Sequence, residues 1–300
     1  MMTEKGSSRG HYPEAETLLT QTQKLLGRSG LRARKGLGQH FLIDEEALAL
    51  IVSTARLSAA DTVVEVGPGL GVLTKELARR AGRVIAVELD SKLAGILEES
   101  LSAFGNVSII YQDVLKVVPE TLVSGEDGES GSSGYKVVAN LPYYITSPGL
   151  RHFLESSTKP QLMVVMVQKE VAEEVVAKPG RMSLLSIGIQ LYGAPEIAGY
   201  VAASSFYPTP EVDSAILKVV PHPQPLVGPG DRESFFTLVR AGFSASRKQL
   251  ANSLAQGLGI SKTETLALLA RAEITPQRRA ETLSIEEWEH LRRIYSEGED

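Results

Sequence analysis

The residues of this chain best suited to chemistry are Asn140-Leu141-Pro142-Tyr143. They follow the apolar run Val137-Val138-Ala139, which reads as a buried strand, and an open α/β sheet places its ligand crevice at the carboxyl ends of such strands. The Asn140 side-chain oxygen and the Leu141 carbonyl are two acceptors that a single exocyclic amine would satisfy. Pro142 biases Leu141 toward extended backbone and so fixes where that carbonyl points. Tyr143 adds a flat apolar ring for stacking. The same four residues also describe an ordinary turn after a strand. The elements around them must decide between a turn and a base-binding site.

Upstream, Thr62-Val63-Val64-Glu65-Val66 has the composition of a buried parallel strand. It runs into Gly67-Pro68-Gly69-Leu70-Gly71 and an amphipathic helix through Arg80, and a second strand, Arg83 to Val87, ends on Glu88. A glycine-rich turn between strand and helix lets backbone approach a ligand closely, and a carboxylate ending the second strand accepts both hydroxyls of a ribose. The glycines are spaced GxGxG rather than the GxGxxG of dinucleotide sites, and Pro68 removes an N–H that a pyrophosphate cradle would use. Glu65, two residues before the first glycine, is placed to reach the amino-acid end of a cofactor. These features favour S-adenosylmethionine over NAD, the alternative being a purely structural turn. The next strand, Val107 to Tyr111, ends in Gln112-Asp113. Asp113 either accepts from the amino group of the cofactor's adenine or caps a helix.

The elements that must position these residues are legible in outline. Residues 1–30 are polar and charged, with one short helix expected from Glu14 to Leu26 and the remainder partly disordered. The segment Lys35 to Leu42 reads from its glycines as a loop anchored by Phe41 and Leu42, leading to a helix from Glu45 to Ala55 capped by Asp44. Further helices are expected over Lys92–Leu101, Ser147–Glu155, Lys169–Ala177 and Met182–Tyr192. Strands are expected over Leu162–Val167, Glu196–Val201 and Ser214–Val220, the last two joined by the stiff aromatic and proline-rich segment Phe206 to Asp213. Together they make a mixed seven-stranded sheet. Residues 124–134 are polar and of low complexity and read as a mobile surface loop. After the Pro/Gly-rich linker 221–230 the pattern is wholly helical, over Arg232–Ala241, Ser246–Gln256, Lys262–Ala272 and Ile285–Ser296, with Ser284 and Glu287 forming a capping box. The organisation expected is a basic leader, 1–34, an α/β domain, 35–224, and a helical domain, 225–300.

Composition narrows the function. The chain has 300 residues, 43% of them hydrophobic, and lacks both a membrane-length apolar run and a signal-peptide core. It has no cysteine, which removes disulfides, thiolate zinc sites and cysteine nucleophiles and fits a reducing cytoplasm; no metal site is expected. The net charge of −5 argues against nucleic-acid binding when taken as a whole. Its distribution does not, because Lys24, Arg28, Arg32, Arg34 and Lys35 form a stretch free of acids while the C-terminal residues 281–300 are acidic. That stretch is either a solvated leader or an RNA-contacting segment.

Assembled, the chain resembles the KsgA family of S-adenosylmethionine-dependent ribosomal RNA adenine dimethyltransferases, relatives of the Erm methyltransferases. The resemblance runs from about Lys35 to Ile294 and rests on GQHFL at 38–42, EVGPGLG at 65–71, Glu88, Asp113, NLPY at 140–143, FYPTPEVDS at 206–214 and FSASRKQLANSL at 243–254, in that order. The long leader and the 124–134 insertion depart from the family pattern. The resemblance implies a Rossmann-like methyltransferase domain with a small helical C-terminal domain, and dimethylation at N6 of two adjacent adenosines near the 3′ end of small-subunit rRNA. It implies cofactor contacts at His40, Leu42, Gly67, Glu88, Asp113 and Asn140, to which the turn adds Glu65 and Gly69. Asn140, Leu141, Pro142 and Tyr143 would receive the target adenine, with Phe206 on its opposite face. Lys35, Arg247 and Lys248 are candidates for phosphate contacts. The expected partner is small-subunit rRNA in the pre-30S particle, bound by a cytoplasmic monomer. An Erm-type enzyme of the large subunit and a non-catalytic assembly factor are the alternatives.

Overall fold

The computed structural model describes residues 16–31, 33–34, 38–124, 134–245 and 247–297. Residues 1–15 and Arg32 of the leader, Lys35 and almost all of the polar insertion lie outside the described residues. The first helix, α1 (Leu18–Ser29), starts and ends later than its apolar spacing suggests. Thr17 caps its first turn by accepting from Thr20 N, and Gly30, in left-handed conformation, ends it. The two-residue strand β1 (Phe41–Leu42) leads into α2 (Glu45–Ala55), whose cap is Asp44 as expected; its carboxylate accepts from Glu46 N and Ala47 N.

The α/β alternation follows. It runs β2 (Thr62–Val66), α3 (Val72–Ala78), β3 (Arg83–Glu88), α4 (Ser91–Ser100), β4 (Val107–Tyr111), α5 (Pro119–Val123), β5 (Tyr135–Asn140), α6 (Thr146–Leu154), β6 (Leu162–Gln168), α7 (Lys169–Val175) and α8 (Leu184–Gln190). The strands β7 (Gly193–Val201), β8 (Phe206–Tyr207) and β9 (Ser214–Pro221) come next, then the helices α9 (Arg232–Phe243), α10 (Leu250–Leu258), α11 (Lys262–Arg271) and α12 (Ile285–Ser296). Seven strands form one sheet in the order β4-β3-β2-β5-β6-β9-β7, with β1 and β8 pairing separately. The first five run parallel, and β9 and β7 are antiparallel to their neighbours. This is the mixed sheet anticipated from the sequence.

The chain leaves β2 toward β3 on one side and returns to β5 on the other. The switch point therefore lies between β2 and β5, where a doubly wound sheet opens its crevice. Alternate residues of the central strands face two separate cores. Val64, Val66, Ile85, Val137 and Val165 face the core shared with α6 and α8, and Val63, Val84, Val138 and Val164 face the one shared with α2 and α3. The first core continues without a break into the C-terminal helices through Phe235, Leu238 and the fully buried Trp288. One helix differs from expectation. Ser246–Gln256 has helical composition, but Gln249 is extended and the helix begins only at Leu250, so Arg247 and Lys248 lie in the turn before it. Among the described residues no helix is long and apolar enough to cross a membrane.

Candidate functional site

Two loops meet at the switch point. The glycine turn leaves β2, and Asn140-Leu141-Pro142-Tyr143 leaves β5 next to it. Gly67 and Gly69 have φ of 65° and 60°, values that L side chains resist. A Cβ on Gly67 would stand 3.3 Å from the Pro142 ring, and one on Gly69 would stand 3.2 Å from Phe41. The turn is thus set tightly between the Asn140 loop and the N-terminal loop. Between them opens a cleft of about 1050 Å³, continuous with solvent, lined by His40, Leu42, Gly67, Gly69, Glu88, Asp113 and all four residues of Asn140 to Tyr143. Three segments that sequence reading chose separately are therefore brought to one place.

Glu88, at the end of β3, is buried, and each of its oxygens is held by the backbone. Gly69 N donates to Oε2 at 3.2 Å and Asp90 N donates to Oε1 at 2.8 Å. Burial raises its pKa, against the pull of those N–H groups. Each oxygen keeps a further lone pair, so the fixed carboxyl can take two adjacent hydroxyls. Of the two roles weighed for Asp113, the structure shows the cap. Asp113 caps a short helical turn by accepting from Leu115 N at 3.1 Å, and it lines the cleft.

The Asn140 side chain is oriented by its partner. Its Nδ2 donates to the His40 carbonyl at 3.1 Å; a carbonyl can only accept, so the amide nitrogen must face it and Oδ1 is left as an acceptor. Leu141 N donates to Met166 O at 3.1 Å, which anchors the backbone immediately before the Leu141–Pro142 peptide that carries the second acceptor. Tyr143 is half-buried, with its hydroxyl 2.8 Å from Ser214 Oγ. Its ring stacks on His40, with centroids 5.8 Å apart and planes at 26°, and the face turned away from His40 is the one a base would use. His40 is the joint of the site, since its Nδ1 also donates to Pro208 O at 2.7 Å. Sequence reading singles out His40 only through resemblance, because its three contacts come from segments far apart in the chain.

Two expected site residues lie elsewhere. Glu65 is 1% exposed and does not line the cleft. The pleat turns its side chain to the face opposite Val66, toward Thr74 of α3, and burial pushes its pKa up to about 8, with the Thr74 hydroxyl lowering it and the Glu88 charge adding to the rise. The approach to Thr74 falls short of hydrogen-bond geometry, so Glu65 Oε2 and Thr74 Oγ1 are both buried without a full partner. Phe206 is also 1% exposed. It packs in the core beside Leu42 and Ile51, because β8 pairs antiparallel with β1 and Leu42 lies opposite it. In this conformation it offers no ring face to the cleft, whereas its neighbour Tyr207 is exposed. Arg247 and Lys248 are exposed, with Lys248 Nζ donating to Gln256 Oε1 at 3.2 Å. Lys35 lies outside the described residues.

Sequence reading also misses Gln39 and Asp90. Gln39 lines the cleft and Asp90 sits behind Glu88. The spacing Glu-x-Asp is visible, but it is equally the signature of a carboxylate that only caps a helix.

A family model described as Ribosomal RNA adenine dimethylase matches residues 30–296. Among curated proteins, Ribosomal RNA small subunit methyltransferase A of Dehalococcoides mccartyi is 54% identical over 94% of this chain and 95% of the relative. The protein of that name from Moorella thermoacetica is 44% identical over 91% and 96%. Among solved structures, the 23S rRNA methyltransferase ErmE superposes with a TM-score of 0.67 at 28% identity, over 85% of this chain and 99% of that one. A dimethyladenosine transferase from Plasmodium falciparum gives 0.72 at 24%, over 86% and 98%, and speaks for the fold alone.

Proposed function

The chain belongs to the ribosomal RNA adenine dimethylase family, and from that premise we propose that it methylates N6 of two adjacent adenosines near the 3′ end of small-subunit rRNA, using S-adenosylmethionine. The small-subunit assignment rests on relatives far nearer in sequence than the large-subunit enzyme, at 54% against 28% identity. The observation that carries the chemistry is the Asn140 amide, turned by the His40 carbonyl so that its oxygen remains an acceptor at the mouth of the crevice.

The cleft suits the cofactor by its donor set. Glu88 would take the ribose hydroxyls, Asp113 the adenine amino group, and the glycine turn with His40 and Leu42 would flank the rest. S-adenosylmethionine supplies a methyl group made electrophilic by its sulfonium. What remains for the protein is to make a poor nucleophile competent, because the lone pair of an adenine amine is delocalised into its ring. Asn140 Oδ1 and the Leu141 carbonyl, each accepting one N6 hydrogen, favour a pyramidal nitrogen with its lone pair directed along the line of displacement. The rate gain is positional and electrostatic. No strong base is needed, since the cationic product amine loses its proton readily. Tyr143 would stack the flipped base on the face away from His40. Arg247, Lys248 and Lys35 would meet backbone phosphates, and the chain would act as a cytoplasmic monomer on the pre-30S particle.

The test is methyl transfer from labelled S-adenosylmethionine to isolated ribosomal subunits from cells lacking this enzyme, followed by mapping of the modified adenines. Label confined to paired adenines of the small-subunit rRNA is expected. Label in the large subunit would replace this reading with the Erm-type one. Tight particle binding without label would make the protein an assembly factor.

A further inference from the structure

Behind Glu88 lies a polar chain that reaches back to the leader. Asp90 is 5% exposed, and both of its oxygens are engaged. Oδ1 caps α4 by accepting from Lys92 N at 3.0 Å. Oδ2 accepts from Gln39 Nε2 at 3.3 Å and lies 3.3 Å from a guanidinium nitrogen of Arg34. Arg34 and Gln39 are themselves tied, since Arg34 N donates to Gln39 Oε1 at 2.8 Å and Gln39 N donates to Arg34 O at 3.4 Å. The backbone N–H of the same Asp90 holds Glu88 Oε1. Helix α1 rests on this assembly through Leu26, which is buried with Phe41, Leu70 and Leu93, and Phe41 and Leu70 are walls of the cleft.

We propose that Asp90 and Arg34 are positioning residues that join the leader to the cofactor site, holding the Gln39 loop and the Glu88 carboxyl in their binding arrangement before the cofactor arrives. This rests on the reading of Glu88 as the ribose acceptor. A helix cap uses one carboxylate oxygen, whereas here the second gathers a side chain from the cleft wall and a cation from the leader. That second set of bonds has no part in starting α4. An acceptor facing two donors, one of them charged, is a strong arrangement. Because the Arg34 side chain is 52% exposed, its share is modest. Pre-organisation of this kind appears in cofactor affinity and leaves the chemical step unchanged.

The experiment uses the full-length chain with S-adenosylhomocysteine as the calorimetric probe, alongside steady-state methylation. Arg34→Ala should weaken binding by about two- to fivefold, the range of a half-exposed ion pair, and raise KM for S-adenosylmethionine by a similar factor with kcat unchanged. Arg34→Lys should restore most of the affinity. Asp90→Asn keeps the capping oxygen but sets an amide nitrogen against the Gln39 and Arg34 donors. It should weaken binding at least as much, and its effect should not add to that of Arg34→Ala. Additive effects, or affinity losses that track a fall in thermal midpoint, would reduce Asp90 to a helix cap and overturn the proposal. Glu88→Ala separates the two readings. If it weakens binding while Arg34→Ala and Asp90→Asn do not, the coupling is wrong and the ribose assignment stands. If it too leaves affinity unchanged, the ribose assignment fails and the coupling falls with it.

Discussion

Replacing Glu65 with glutamine will remove the pH dependence of stability that this one carboxyl gives the native chain. Glu65 is 1% exposed, its Oε2 has no hydrogen-bond partner, and burial pushes its pKa from an ordinary 4.5 to about 8. The unfolded chain gives up this proton near pH 4.5 while the folded chain keeps it to about pH 8. Between those values the native state binds more protons, so stability falls as pH rises. The contribution is complete below the unfolded value and is lost as pH climbs through the folded one. The gap of about 3.5 pH units, at about 1.4 kcal/mol each, sets a ceiling of about 5 kcal/mol, of which about 3 to 4 kcal/mol falls between pH 5 and pH 8. Glutamine has nearly the same shape and cannot ionise. Urea unfolding followed by far-UV circular dichroism at about pH 5, 6.5 and 8 should show the stability of Glu65→Gln relative to the native chain rising steadily with pH, by about 3 kcal/mol over the range. A difference that stays constant across that range would mean that Glu65 is ionised in the folded chain, and the burial argument would be wrong.

The active-site reading makes three further predictions. Asn140→Ala should lower single-turnover methylation by about 100-fold or more, the usual loss for one oriented polar group, while S-adenosylhomocysteine binding, measured separately, falls less; near-native turnover would dismiss the amine-orienting role. Tyr143→Ala should reduce RNA-dependent kcat/KM by the factor that corresponds to about 1 to 3 kcal/mol of base stacking, with Tyr143→Phe close to native; unchanged kinetics for the alanine variant would rule out stacking. Alanine at Arg247 or Lys248 should weaken rRNA binding and make log affinity less steep against log salt, by about 1 in slope for each phosphate no longer neutralised. An unaltered slope would mean that other cations meet the phosphates.

What the sequence disclosed and what it concealed follow from the range of the interactions involved. Strands such as Leu162–Gln168 are legible because burial on both faces leaves an almost unbroken apolar run. The start of the last helix is legible because Ser284 and Glu287 cap it locally. The glycine turn, Glu88 and Asn140 can be found because each ends or directly follows a strand, and the topology brings strand ends together. The start of α10 is concealed because the composition before it suits a helix, and only the extended Gln249 shows where the turn ends. The face taken by Glu65 cannot be read from a strand whose alternate residues are all buried. The inward turn of Phe206 depends on pairing between two-residue strands that carry no periodic signal of their own. Asp90 is hidden because its local role as a cap accounts for it fully until Arg34 and Gln39 are placed beside it.

The short pairing of β1 with β8 has a consequence for how this protein can change over time. Phe41 lies opposite Tyr207 and Leu42 opposite Phe206, and His40 joins them by donating to Pro208 O across 168 positions of sequence. The loops at 40–42 and 206–208 are therefore one mechanical body. By thermodynamic reciprocity, any coupling between two ligands that travels through this body acts equally in both directions. Replacements at 40–42 and at 206–208 are thus expected to be inherited as matched sets, because a family member that drifts on one side alone would lose the pairing that seats the other.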